Sequence, residues 1–206
     1  MVCTFEGVMS MGFKDYKFLV YSDLYRLTGS LRITTLLYCI LLGESFKYNF
    51  WMRTCMYTKS SPVLRYSIYP VARILLGRQM YKLGISIPPD TQIGSGFYIG
   101  HFGGIVVNRR CVIGKNCNIS QGVTLGQANR GKNKGYPTLG DNVYIGPGAK
   151  IVGAVKIGNN VAIGANCVVT KDIPDDSVVV GIPGRIISKE GSKGYVNRTD
   201  YTEKIS

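Results

Sequence analysis

Most of the reactive chemistry open to this 206-residue chain lies in one histidine, six cysteines and a Thr170-Lys171 pair. His101 is the sole histidine. With an unperturbed pKa near ~6.5, an imidazole can accept a proton from a hydroxyl and hand it to a leaving group. A lone histidine is more often structural than catalytic, so its place in the chain must decide. The cysteines (Cys3, Cys39, Cys55, Cys111, Cys117, Cys167) are scattered without metal-type spacing, and no metal site is expected. Thr170, Lys171 and Arg185 suit phosphate contact, beside the plainer reading of turn chemistry and solvated charge.

The elements that must position these groups follow two grammars. From Ile87 onward, aliphatic residues recur every six positions: Ile87, Ile93, Ile99, then Val107, Ile113, Ile119, Leu125, then Leu139, Ile145, Ile151, Ile157, Ile163 and Val169. Four residues after many of them comes a small or β-branched residue, as at Cys111, Cys117, Val123, Val143, Ala149 and Cys167. A six-residue unit supplies one short strand and a turn, and three units close a triangular coil. Coils cannot bury their own faces, so they stack at about 4.8 Å and share one core. The cysteines in the small-residue slot read as packing residues. Two gaps interrupt the count: eight residues from Ile99 to Val107, and fourteen from Leu125 to Leu139. The first pushes His101 out of the regular coil. The second makes a loop, Asn129 to Gly135, rich in Gly, Asn and Lys. Loops leaving a rigid solenoid are where function usually sits.

Residues 1–84 read as helical. Ser61-Pro62 resembles an N-cap with proline at the first helical position, and Val63, Ile68, Val71, Ile74, Leu75 and Met80 follow at roughly helical spacing up to Gly84. Eleven lysines and arginines stand there against four acidic residues, within a formal charge of +13 for the chain. This reads as a solvated helical face, with contact to an anionic membrane surface as the alternative. No nucleic-acid motif accompanies the charge, and nucleic acid is not expected as a partner. The apolar run Ile33 to Leu42 is about half the ~20 residues a bilayer span needs. With no signal-peptide pattern at the start, the expected compartment is the cytoplasm, with a peripheral place at the inner face of the membrane as the alternative. Residues 85–188 form the repeat domain and 189–206 a polar tail.

The string Ile93-Gly94-Ser95-Gly96 through His101-Phe102-Gly103-Gly104-Ile105-Val106-Val107 resembles the serine acetyltransferases, and more closely the acetyltransferases of capsular and exopolysaccharide biosynthesis. Further matches are Gln121-Gly122-Val123-Thr124-Leu125-Gly126, Tyr144 to Ile151, Val168 to Pro174 and Gly181-Ile182-Pro183-Gly184-Arg185. The resemblance covers about residues 84–188. It implies a left-handed parallel β-helix, a homotrimer with active sites between subunits, and acetyl-CoA as co-substrate with no tightly bound cofactor. It implies that His101 is the general base, activating a hydroxyl to attack the acetyl thioester, and that the loop helps to wall the site. It also implies donor contacts at Gly126, Gln127, Pro147, Ala165, Thr170, Lys171 and Arg185. A γ-type carbonic anhydrase shares such a helix but needs three histidine ligands, which excludes it here.

Three departures bear on the acceptor. Serine acetyltransferases orient the histidine with an aspartate where this chain has Ser86. They place another aspartate where it has Gly100, and an Arg-His pair where it has Gly135 and Tyr136. Ser86, Asp90 or a backbone carbonyl could orient His101. A zwitterion held without charged partners is poorly compensated as it leaves water. Tyr136 could stack on a sugar ring, and Gly100 and Gly135 would leave room for a bulky acceptor. The leading expectation is therefore O-acetylation of a sugar or polysaccharide precursor, with Ser86, Gly100 and Tyr136 at the acceptor. Serine O-acetylation for cysteine synthesis is the alternative, with Lys132 or Lys134 holding the carboxylate. A non-catalytic trimeric assembly protein is the alternative of another class.

Overall fold

The computed structural model describes residues 11–205, so Cys3 and Glu6 lie outside it. Five helices come first: α1 (Phe13–Thr28), α2 (Ile33–Leu41), α3 (Glu44–Ser60), α4 (Pro62–Ser67) and α5 (Tyr69–Leu83). Gly29 and Gly84 end α1 and α5 in the left-handed conformation, at φ 72° and 61°. Pro62 opens α4, but the Ser61 side chain caps no amide. The single helix suggested by the 62–83 spacing is broken at Ile68. Pro70 lacks an N–H, and its ring crowds the carbonyl four residues back. The apolar stripe read there also faces the other way: Val63, Val71 and Ile74 are exposed, while Ala72, Leu76 and Leu83 are buried. Among the described residues no helix is long and apolar enough to cross a membrane.

The repeats fold as a left-handed parallel β-helix with three faces. Sheet A stacks β1 (Ile85–Ser86), β4 (Ile105–Val107), β7 (Thr124–Gly126), β10 (Lys150–Val152) and β13 (Val168–Val169). Sheet B stacks β2 (Gln92–Ile93), β5 (Val112–Ile113), β8 (Thr138–Leu139) and β11 (Lys156–Ile157). Sheet C stacks β3 (Tyr98–Ile99), β6 (Asn118–Ile119), β9 (Tyr144–Ile145), β12 (Ala162–Ile163) and β14 (Val178–Val180). An antiparallel β15 (Arg185–Ser188) closes sheet C against β14. The period-six aliphatics stack in register, as in Ile99, Ile119, Ile145, Ile163 and Val179, all at most 2% exposed. Burying each such side chain contributes roughly 1.5–3 kcal/mol. The small-residue slots, Cys111, Cys117, Val123, Val143, Ala149 and Cys167, are likewise buried.

One corner carries a ladder that the aliphatic count does not reveal. Asn116 Nδ2 donates to Asn142, Asn142 to Asn160, and Asn160 to Asp176, each at 2.9 Å. All four sit at positive φ near 55–58°, a conformation asparagine and aspartate tolerate better than most residues. Their side chains thus link coil to coil where the backbone turns.

The open first coil would expose unpaired strand-edge groups, and the helices cover it. Arg53 of α3, fully buried, donates to the carbonyls of Ile93 and Gly94 and pairs with buried Asp23 of α1 at 2.9 Å. Asp23 in turn accepts from the Phe97 amide, Asn49 donates to Phe97 O, and Tyr48 both donates to Ile87 O and accepts from its amide. The tail also packs back: Tyr195 stacks on Tyr144, and Tyr201 of α6 (Tyr201–Ile205) is buried with its hydroxyl donating to Asn116.

Arg53→Met would leave the Asp23 carboxylate buried without its cation and the Ile93 and Gly94 carbonyls without their donor. The expected loss is about 3–5 kcal/mol, read from guanidinium unfolding. A loss near that of a surface substitution would show that this joint is not what holds helices to solenoid.

Candidate active site

Hydrogen-bond register shows how His101 leaves the coil. Gly100 N–H donates to Ile119 O in ordinary fashion, and Gly122 N–H donates to Gly103 O. In the coils beyond, Gly148 N–H reaches Gln121 O and Asn166 N–H reaches Pro147 O. Gly103 therefore occupies the place that Gln121, Pro147 and Ala165 fill in later coils, and His101 and Phe102 are the two extra residues. The return to register needs left-handed backbone at Gly103 and Gly104, φ 107° and 65°, which glycine adopts without a steric penalty. His101 is exposed on this bulge, at the edge where sheet C passes into sheet A.

The second interruption lies on the opposite edge of sheet A, where it passes into sheet B. The loop closes on itself through paired bonds between Ala128 and Gly135, both 3.0 Å. Asn133 donates to Thr170 O at 2.7 Å and accepts from Ala154 N–H at 2.9 Å. The expected donor-contact residues thus divide between two edges. Pro147 and Ala165 share the His101 edge, whereas Gly126, Gln127, Thr170 and Lys171 share the loop edge. Five residues of strand and turn separate the edges in each coil, roughly 15 Å of extended chain. Arg185 stands exposed on β15 at the last coil.

Several acceptor expectations change. Asp90 accepts from Lys59 at 2.6 Å and Arg109 at 3.1 Å on the loop edge, away from the His101 of its own chain. Ser86 stands exposed on sheet A beside Val106. Tyr136 is engaged: its hydroxyl accepts from Arg110 at 3.1 Å, and the guanidinium lies 5.4 Å from its ring centre. Both glycines have close side-chain neighbours in the direction a Cβ would take. A Cβ at Gly100 would lie 3.3 Å from the Tyr98 ring, and one at Gly135 only 2.9 Å from the Ala154 Cβ. Sequence reasoning passed over Gln121, whose Oε1 is buried without a hydrogen-bond partner one coil beyond the bulge. Its place in the column below His101 was the available signal.

The described cysteines are buried and have no catalytic posture. Burial pushes the Cys55 and Cys111 thiols up to about 11 and Cys117 to about 12, where almost no thiolate forms at neutral pH. Among the described residues no cluster of three or more His, Cys, Asp or Glu side chains could hold a metal ion.

Comparison with known proteins bears on both family and acceptor. The family "Bacterial transferase hexapeptide (six repeats)" matches residues 136–171. A serine acetyltransferase of Bacillus pumilus is 43% identical over 141 residues, covering 68% of this chain and 65% of that one. The chain spans 53–65% of the length of such curated relatives. Soybean serine acetyltransferase complexed with serine aligns with a TM-score of 0.63 at 31% identity, over 82% of this chain and 68% of that one. A serine acetyltransferase complex with CoA aligns with a TM-score of 0.62 at 28% identity, over 84% and 68%. These relatives overturn the leading expectation of a saccharide acceptor and favour the serine alternative, and they do not show the nearer kinship to capsular enzymes.

The loop's seat can be tested at Gly153, whose φ is 95° and where a Cβ would stand 2.6 Å from Asn133 O. Gly153→Ala should dislodge the loop and weaken coenzyme A binding at least ~tenfold, about 1.4 kcal/mol, by calorimetry. Unchanged affinity would mean that the loop's position does not matter to the donor.

Proposed function

The chain belongs to the serine acetyltransferase family, and from that premise we propose that it is an acyltransferase moving acetyl from acetyl-CoA to the hydroxyl of free serine. The observation that carries this reading is the two-residue bulge that sets the chain's only histidine on an exposed edge of an otherwise regular solenoid. His101 accepts the serine hydroxyl proton as the oxygen attacks the thioester carbonyl. The tetrahedral intermediate collapses, the C–S bond breaks, and the imidazolium returns the proton to the coenzyme thiolate. No acyl-enzyme is needed, in keeping with the raised thiols.

Serine brings a carboxylate and an ammonium that must be compensated as they leave water. The loop cations Arg130, Lys132 and Lys134, all exposed, supply the first need. The unpartnered Gln121 Oε1 suits the second. A loop on one edge of sheet A cannot wall a histidine on the other edge of the same copy. We therefore read the working unit as a homotrimer in which the loop edge of one copy meets the His101 edge of the next. Thr170, Lys171 and Arg185 suit the coenzyme phosphates. The described cysteines are all free thiols, which suits the cytoplasm. We assign any peripheral contact with an anionic membrane to the outward face of α4 and α5, where Val63, Tyr66, Val71 and Ile74 are exposed beside Arg65 and Arg73.

Thiol release from acetyl-CoA should be seen with serine and lost by at least ~10²-fold in His101→Ala, with coenzyme A binding retained. Release with no acceptor, or near-normal turnover in the variant, would sink the mechanism. Acetylation of a sugar panel but not of serine would sink the acceptor.

A further inference from the structure

Away from this site, the tail and α1 flank an open cleft of about 210 Å³ against sheet C, lined by Arg26, Tyr98, Asn118, Tyr195, Asn197 and Arg198. Two guanidiniums line it and no carboxylate does. Arg26 is 5% exposed, yet the acceptors it touches are neutral: Gly96 O at 3.2 Å from Nε, and Asn118 Oδ1 from Nη2. Its ring neighbour is Tyr98, 5.9 Å from the guanidinium carbon. The carboxylates nearby are committed elsewhere, Asp23 to Arg53 and the Phe97 amide, and Asp200 to Lys204 at 2.9 Å. Arg198 arrives from the tail and donates to Leu27 O at 2.6 Å. Asp23 helps Arg26 only through space, since its oxygens are bonded to Arg53 and the Phe97 amide, and the direct partners of Arg26 are a carbonyl and a carboxamide. A buried cation so placed is costly, and a mobile anion beside it relieves that cost.

We propose that this cleft binds a small tetrahedral oxyanion, inorganic phosphate or sulfate or the phosphoryl group of a small metabolite, between Arg26 and Arg198. The anion then ties the tail to the body of the protein. Arg26 belongs to α1 and Arg198 to the tail, so one bound group bridges two segments more than 170 positions apart in the chain. Guanidinium forks match the geometry of such oxygens, and the Asn197 carboxamide at the rim can add a donor. The ligand needs no contact with His101, and the proposal stands apart from the acetyl-transfer reading.

Titration calorimetry with inorganic phosphate tests it, with and without saturating coenzyme A. The expected result is saturable binding of one phosphate per chain, undisturbed by coenzyme A and at least ~tenfold weaker in Arg198→Gln. This variant changes an exposed side chain and should fold. Phosphate should also slow tryptic cleavage after Lys193 in the unmodified protein but not in Arg198→Gln. Sulfate in place of phosphate should bind similarly, whereas a phosphate monoester binding far more tightly would identify a metabolite as the natural ligand within the same site. Absence of saturable binding below about 10 mM, displacement by coenzyme A, or unaltered binding in Arg198→Gln would each overturn the proposal.

Discussion

The in-phase stacking of one aliphatic side chain per strand is the constraint on which this molecule rests. A coil of three two- or three-residue strands has no interior of its own, so Ile99 is buried only because Ile119 lies on it, and Ile119 because Ile145 does. A slip of one residue in any strand would turn its aliphatic to solvent. The register that keeps the core dry therefore also determines which residues reach each edge. A two-residue surplus cannot be absorbed by the core and is expelled at a corner. That expulsion makes the His101 bulge, and a larger surplus makes the loop. The functional candidates are by-products of a register that does not bend.

Stacking also creates an end that must be closed. The first coil has no coil before it, and its carbonyls at Ile87, Ile93, Gly94, Gly96 and Phe97 are met by side chains of α1 and α3. The helices act as a cover for an exposed strand edge. Closing it with arginines brings charge into the interior. Asp23 balances Arg53, while Arg26 receives neutral partners and borders the cleft beneath the tail. The asparagine ladder and β15 complete the structure from the other side.

Periodicity of six made the coil, its small-residue slots and both interruptions legible in the sequence, because a repeated unit states the same constraint many times. The helical region states its constraint once, and its spacing misled. Val63, Val71 and Ile74 recur at helical intervals but look outward, and Pro70 breaks the run. The packing of Tyr195 and Tyr201 joins residues far apart in the chain, which no local pattern records. At the site, the position of His101 was readable from the gap after Ile99. The environment of Gly100 and Gly135 was not, because a missing side chain looks the same whether space is open or filled by Tyr98 and Ala154. The saccharide reading leaned on that ambiguity, and the similarity to serine acetyltransferases favours serine instead.

If the proposed parts of the site lie on opposite edges of sheet A, the reaction needs two copies of the chain. Mixing variant chains tests this directly, with acetyl-CoA held low enough that neither variant alone turns over appreciably, His101→Ala supplying an intact loop edge and Lys171→Glu an intact histidine edge. Every trimer holding both chains then has one complete junction, so random reassembly of equal amounts should recover about one quarter of full turnover. Turnover in the mixture no greater than the mean of the two variants alone would contradict a shared site and place the whole reaction within a single chain.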